Sequence, residues 1–98
     1  MSARSPIVMY TQMFCGYCSA ARALLTEKGV TWEEIDVTMQ QELRRAMQER
    51  SGRTTVPQIF IGERHIGGYD DLAALDQRGE LDTLLEQTVG IDNGREES

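Results

Sequence analysis

The chain has 98 residues, enough for one domain with one core; a chain of this size buries about 60–65% of its unfolded surface, which leaves no room for a separate catalytic domain. Its composition, 40% hydrophobic and 27% charged, is that of an ordinary globular protein. A net charge of −6 speaks against nucleic acid and anionic membrane as partners, since both select basic surfaces.

Met1 to Pro6 carries one arginine and precedes no long apolar run, which does not read as a secretory signal. No stretch approaches the roughly 18 apolar residues of a bilayer-spanning helix. The expected location is therefore a reducing cytoplasm. In that compartment a lone structural disulfide is out of place, so the close pair Cys15 and Cys18 needs another explanation.

Ile7-Val8-Met9-Tyr10 is apolar and β-prone, and reads as a buried strand. Ser19 to Lys28 follows as a helix rich in alanine and leucine, stopped by Gly29. The cysteine pair thus falls at a strand-to-helix junction. Trp32 to Val37 reads as a second strand, parallel to the first. Gln40 to Arg50 is a second helix, with Leu43 and Met47 as its inward stripe, ended by Ser51-Gly52. Pro57 to Ile61 and Arg64 to Ile66 flank the Gly62-Glu63 turn as a hairpin. Asp70 or Asp71 is expected to cap a third helix through Gln77, with Leu72 and Leu75 inward. Leu81, Leu84 and Leu85 mark a last helix, ending near Val89 and Gly90. Residues 91–98 read as a frayed polar tail.

This order gives one α/β domain over residues 1–98. Its four-stranded mixed sheet, two strands parallel and two antiparallel, carries helices on both faces. That is the thioredoxin fold, which places a Cys-x-x-Cys pair at its first strand-to-helix junction.

Disulfide exchange is carried by the thiolate. A helix N-terminus lowers a thiol pKa from about 8.5 into the range of roughly 3.5–7.5, through unpaired N–H groups and the helix dipole. Cys15 in the first turn is the expected nucleophile. Cys18, one turn deeper on the same face, is the expected resolving thiol. A zinc half-site would need two further ligands, and the chain has no third cysteine and one histidine, His65, which reads as a surface strand residue.

Two other blocks stand out. In Thr54-Thr55-Val56-Pro57 the proline belongs at a strand start. Val56–Pro57 is the one expected cis peptide, beside the thiols, with the Val56 backbone free for a peptide-like substrate; the alternative is a trans proline at a turn. Gly67-Gly68-Tyr69-Asp70-Asp71 reads either as plain capping or as a site for an ammonium group, with backbone N–H groups for a carboxylate.

Together these blocks resemble the glutaredoxins, and among them the dithiol members of bacterial type. The resemblance runs from Ile7 to about Leu85. It rests on Tyr10-Thr11, on Cys15-Gly16-Tyr17-Cys18, on Ser51 to Ile61, and on His65-Ile66-Gly67-Gly68 followed by Asp70-Asp71-Leu72. It implies a glutathione-dependent oxidoreductase that reduces protein disulfides and protein–glutathione mixed disulfides. By position it implies that glutathione meets Gln12, Tyr17, Arg44, Thr55, Val56, Pro57, Gly68, Tyr69, Asp70 and Asp71. The implied partners are glutathione and disulfide-bonded or glutathionylated proteins, with the chain a monomer.

Two positions depart from the family. Gln12 stands where a lysine is usual, which removes a cation near the Cys15 thiolate and leaves Arg44 or Arg53 to supply one. Gly16 stands where a proline is common. Some glutaredoxins with Cys-Gly-Tyr-Cys hold a [2Fe–2S] cluster between two protomers, each lending its first cysteine, with two glutathiones completing the ligands. The alternative function is therefore a cluster carrier through Cys15, and the rival reading as a thioredoxin lacks the Trp-Cys-Gly-Pro-Cys run.

Overall fold

A computed structural model describes residues 6–89 of the chain; the expected tail over 91–98 lies outside them. The elements are β1 (Ile7–Thr11), α1 (Gly16–Glu27), β2 (Glu33–Asp36), α2 (Gln41–Ser51), β3 (Gln58–Ile61), β4 (Arg64–Gly67), α3 (Tyr69–Gln77) and α4 (Glu80–Val89). The strands form one sheet in the order β2-β1-β3-β4. β1 and β2 are parallel, while β1/β3 and β3/β4 are antiparallel. This is the expected four-stranded mixed sheet.

The period-2 alternation of the strands divides the core. Ile7, Met9, Ile59 and Ile61 point to one face, where Ala21 and Leu25 of α1, Leu72 and Leu75 of α3, and Leu81 and Leu85 of α4 cover them. Tyr10 and Phe60 point to the other, where Met47 of α2 and Val37 cover them. Lys28, just past α1, pairs with Asp76 of α3 at 2.6 Å and Asp82 of α4 at 3.0 Å, tying the three helices of the first face together.

Several expectations need correction. The first helix begins at Gly16, not Ser19, because the Cys15 sulfur caps its first turn. Its C-cap is Lys28, and Gly29 follows at φ +77°, the left-handed position that glycine fills without cost. In α2, Leu43 is 39% exposed. The inward stripe there is Arg44, Met47, Gln48 and Ser51, an i, i+3, i+4, i+7 series, and Leu43 lies beside it. The N-cap of α3 is Gly68 rather than Asp70 or Asp71.

The topology brings the three sequence blocks to one edge of the sheet. β1 ends in the cysteine loop. β3 runs antiparallel to it, with Gln58 opposite Tyr10, so the Thr54–Pro57 segment enters beside that loop. β4 reverses again, with Gly67 opposite Ile59, so the Gly67–Asp71 turn arrives at the same edge.

Candidate active site

Cys15 is the N-cap of α1. Its backbone is extended (φ −111°, ψ 109°), and its sulfur accepts from the Cys18 backbone N–H at 3.2 Å. A thiolate here completes a cap and faces the positive end of the helix dipole. The Cys15 thiol also lies 3.8 Å from the Val56 carbonyl, to which it donates when protonated. Both cysteines are free thiols.

Cys18 differs sharply. It is fully buried beneath the first turn. Burial above all, then its hydrogen bond with Cys15, pushes its pKa up to about 12, against the opposing pull of the Gln12 backbone. One cysteine is thus half-buried at a helix N-terminus, and the other is inside and held protonated.

Beside Cys15 opens a groove of about 310 Å³, lined by Tyr17, Arg53, Thr55, Val56, Pro57, Gly68, Tyr69, Asp70 and Asp71. That is the lower end of the range for small-ligand sites. The Tyr17 and Tyr69 rings stand nearly parallel, with centroids 6.4 Å apart. The Val56–Pro57 bond is cis. The Val56 N–H donates to no backbone acceptor among the described residues.

At the far end of the groove, Gly68 donates its N–H to Asp71 Oδ2 at 3.0 Å, and Arg53 Nη1 reaches the same oxygen at 3.1 Å. The Gly68 N–H first, then the Arg53 guanidinium, hold the Asp71 carboxyl below its ordinary pKa against partial burial. Gly67 sits at φ +114°, and an added Cβ would lie 2.8 Å from the Asp71 carboxyl carbon, so glycine is required there. Asp71 therefore both stabilises the start of α3 and lines the groove. Asp70 is exposed at the rim.

Eight of the ten expected glutathione-contact positions line this groove. Gln12 and Arg44 do not. Gln12 lies on a second hollow on the α1 side of Cys15, with Ser19, Arg22 and Asp36, and the Arg44 guanidinium donates to its side-chain carbonyl. Of the two arginines named as substitutes for the missing lysine, Arg53 is in the groove and Arg44 is committed to Gln12.

Two residues were not singled out in the sequence as part of the site. Arg22 lines the second hollow and makes three hydrogen bonds of 2.7–3.1 Å to Glu34, which also accepts from Trp32 Nε1 and Thr11 Oγ1 at 3.0 Å each. Its position four residues after Cys18 puts it on the same helix face, which is the one signal that could have found it. Gln58, fully buried behind Thr55, had no signal.

Residues 7–66 match the glutaredoxin family model. Glutaredoxin 3 of Escherichia coli K12 is 54% identical over 79 residues, covering 81% of this chain and 95% of that protein. A glutaredoxin of Pseudomonas aeruginosa is 51% identical over 80 residues, covering 82% and 95%. Among solved structures, a buckwheat glutaredoxin–glutathione complex superposes with a TM-score of 0.81 at 31% identity, covering 89% of this chain and 82% of that one.

Proposed function

The chain belongs to the glutaredoxin family, which makes it a thiol–disulfide oxidoreductase, and we propose that glutathione is its reductant and part of its substrate. It reduces protein–glutathione mixed disulfides and protein disulfides, with Cys15 as nucleophile and Cys18 as resolving thiol. The observation that carries this reading is the junction of Cys15 with the groove. Its sulfur lines the second hollow and lies 3.8 Å from the carbonyl of Val56, a residue of the cleft that has stacked tyrosines, Arg53 and Asp70 on its walls. A tripeptide meets complementary groups there: backbone at Val56, a guanidinium, and carboxylate with backbone N–H at the start of α3. The buckwheat structure, a complex with glutathione, supports the ligand class.

The Cys15 thiolate attacks the glutathione sulfur of a mixed disulfide, a Cys15–glutathione disulfide forms, and the protein thiolate leaves and takes a proton from water. A second glutathione thiolate then attacks the glutathione sulfur on Cys15, releasing glutathione disulfide and restoring the Cys15 thiolate. With a protein disulfide, the Cys15 thiolate attacks one sulfur and one protein thiolate leaves; Cys18 then attacks the Cys15 sulfur, a Cys15–Cys18 disulfide forms and the second protein thiolate leaves, and two glutathiones reduce that disulfide and depart as glutathione disulfide. Burial holds the proton on Cys18, whereas free glutathione meets the adduct from solvent, which makes glutathione the faster partner for it. Once Cys15 is in a mixed disulfide, its own hydrogen bond and charge no longer hold the Cys18 proton, and burial alone remains.

The same proposal takes the chain as one monomeric domain working in a reducing cytoplasm, where two free thiols fit. No helix among the described residues is long and apolar enough to cross a membrane. The cluster-carrier alternative rests on Gly16 and gains no further support; a colourless protein after anaerobic purification with glutathione would dismiss it. The test of the main reading is a coupled assay. Turnover of a glutathionylated peptide should follow glutathione and glutathione reductase, and should not be driven by thioredoxin reductase. The opposite pattern would overturn it.

A further inference from the structure

The chain's one histidine lies behind the groove wall. His65 of β4 stands opposite Phe60 of β3, their rings 4.9 Å apart, while the Arg50 guanidinium lies 4.0 Å over the Phe60 ring. From there His65 reaches diagonally along the sheet, within the range of long side chains, and its Nε2 sits 2.8 Å from Gln58 Oε1. Gln58 is fully buried. Its amide nitrogen donates to the Thr55 carbonyl at 3.0 Å and to the Thr55 hydroxyl at 3.2 Å.

The chemistry fixes every orientation in this chain of contacts. The Thr55 carbonyl accepts only, so the amide nitrogen of Gln58 must face it. The amide oxygen then faces His65 and accepts only, so His65 must carry its proton on Nε2. Burial foremost, with Arg53 and Arg50 opposing the ring's charge and Asp71 favouring it, lowers the His65 pKa, which favours the neutral ring, the form in which the tautomer matters.

Val56 packs against the Tyr10–Phe60 cluster and Pro57 is buried, but few hydrogen bonds fix the wall this anchors. Between Thr54 and Pro57, the hydrogen bonds among the described residues are those from Gln58 to Thr55 and the Cys15 contact to the Val56 carbonyl. Thr55, Val56 and Pro57 all line the groove. We propose that His65 is a positioning residue: through the buried Gln58 amide it sets the Thr55–Val56–Pro57 wall in the conformation that binds the glutathione part of the substrate. This rests on the glutathione reading above. A merely space-filling histidine would support the sheet and leave the groove indifferent to its donor.

Steady-state turnover of a glutathionylated peptide separates these cases. His65→Leu removes the donor and leaves Gln58 Oε1 buried without a partner. The KM for the peptide should rise about fivefold or more, the size of one lost buried hydrogen bond, with kcat within about twofold. His65→Gln, which can present an amide N–H, should bring KM back near the wild-type value. An unchanged KM in His65→Leu, or a loss not recovered in His65→Gln, overturns the inference even if thermal stability falls. If His65→Leu fails to fold, ¹⁵N spectra of the wild-type protein decide. They should show the Nε2–H tautomer, and glutathione should shift the His65 ring and Gln58 side-chain amide signals. An Nδ1–H tautomer or unmoved signals overturn it. A wild-type protein inactive on the glutathionylated peptide would instead sink the glutathione reading, and this inference with it.

Discussion

The backbone N–H of Cys18 donates to the sulfur of Cys15 at 3.2 Å, so the proposed nucleophile is also the cap of the helix that carries the proposed resolving thiol. Serine is an equally good N-cap. Cys15→Ser should therefore keep the fold, with a melting temperature within a few degrees of wild type, while losing all turnover. Cys15→Ala should lose the cap as well, at about 1 kcal/mol. Activity assays beside thermal melts of the two variants check this.

Cys18→Ser separates the two reactions. It should keep turnover on glutathionylated peptides within a few-fold, because glutathione itself completes that cycle. It should lose reduction of protein disulfides, which needs a second thiol on the enzyme. Equal loss on both substrates would mean that Cys18 is needed for the glutathione step too.

Gln12 offers the Cys15 thiolate no charge, and its carbonyl holds the Arg44 guanidinium. Gln12→Lys should raise the rate of Cys15 alkylation by iodoacetamide at pH 6, by favouring the thiolate. Arg44, then facing a like charge, should be released. An alkylation rate equal to wild type would show that the charge at position 12 does not reach the sulfur.

Glu34 shows the acid limit of the fold. Arg22 above all, and also Trp32 and Thr11, hold its carboxyl below its ordinary pKa against burial. A carboxyl depressed in the folded state adds stability above its unfolded pKa and loses it as pH falls through the folded one. Wild-type stability should therefore drop on acidification below about pH 4.3, and Glu34→Gln should flatten that part of the curve. With the pair 30–38% exposed, the contribution is about 1 kcal/mol or less. Urea midpoints across pH 3–6 measure it.

Gly67→Ala should weaken the groove and the fold together. It forces a side chain into left-handed backbone at φ +114° and against the Asp71 carboxyl, costing about 1–3 kcal/mol. Urea denaturation should show that loss, and the KM for the glutathionylated peptide should rise.

Much of the fold was legible in the sequence because it rests on local signals. The apolar run at Ile7, the glycine after Lys28 and the turn at Gly62 set element order, and the sheet followed. The start of the first helix was not legible. Gly16 and Tyr17 are poor helix formers, and a cysteine is an unusual cap. Leu43 lies outward although its apolar character points inward, because the stripe that faces the sheet includes Arg44 and Gln48. In the site, positions close in sequence to the cysteines, to Pro57 and to the Gly67-Gly68 pair were found. Side chains joined across the fold were not: Arg22 to Glu34, Arg53 to Asp71 and His65 to Gln58 depend on strand register, which sequence pattern alone does not fix.

The central claim is that Cys15 takes up glutathione and gives it back without the help of Cys18. Intact-mass spectrometry of Cys18→Ser exposed to glutathione disulfide tests it most directly. The expected result is one glutathione per chain, mapped to Cys15 and released by free glutathione. A chain that stays unmodified, or an adduct that free glutathione cannot remove, would contradict it.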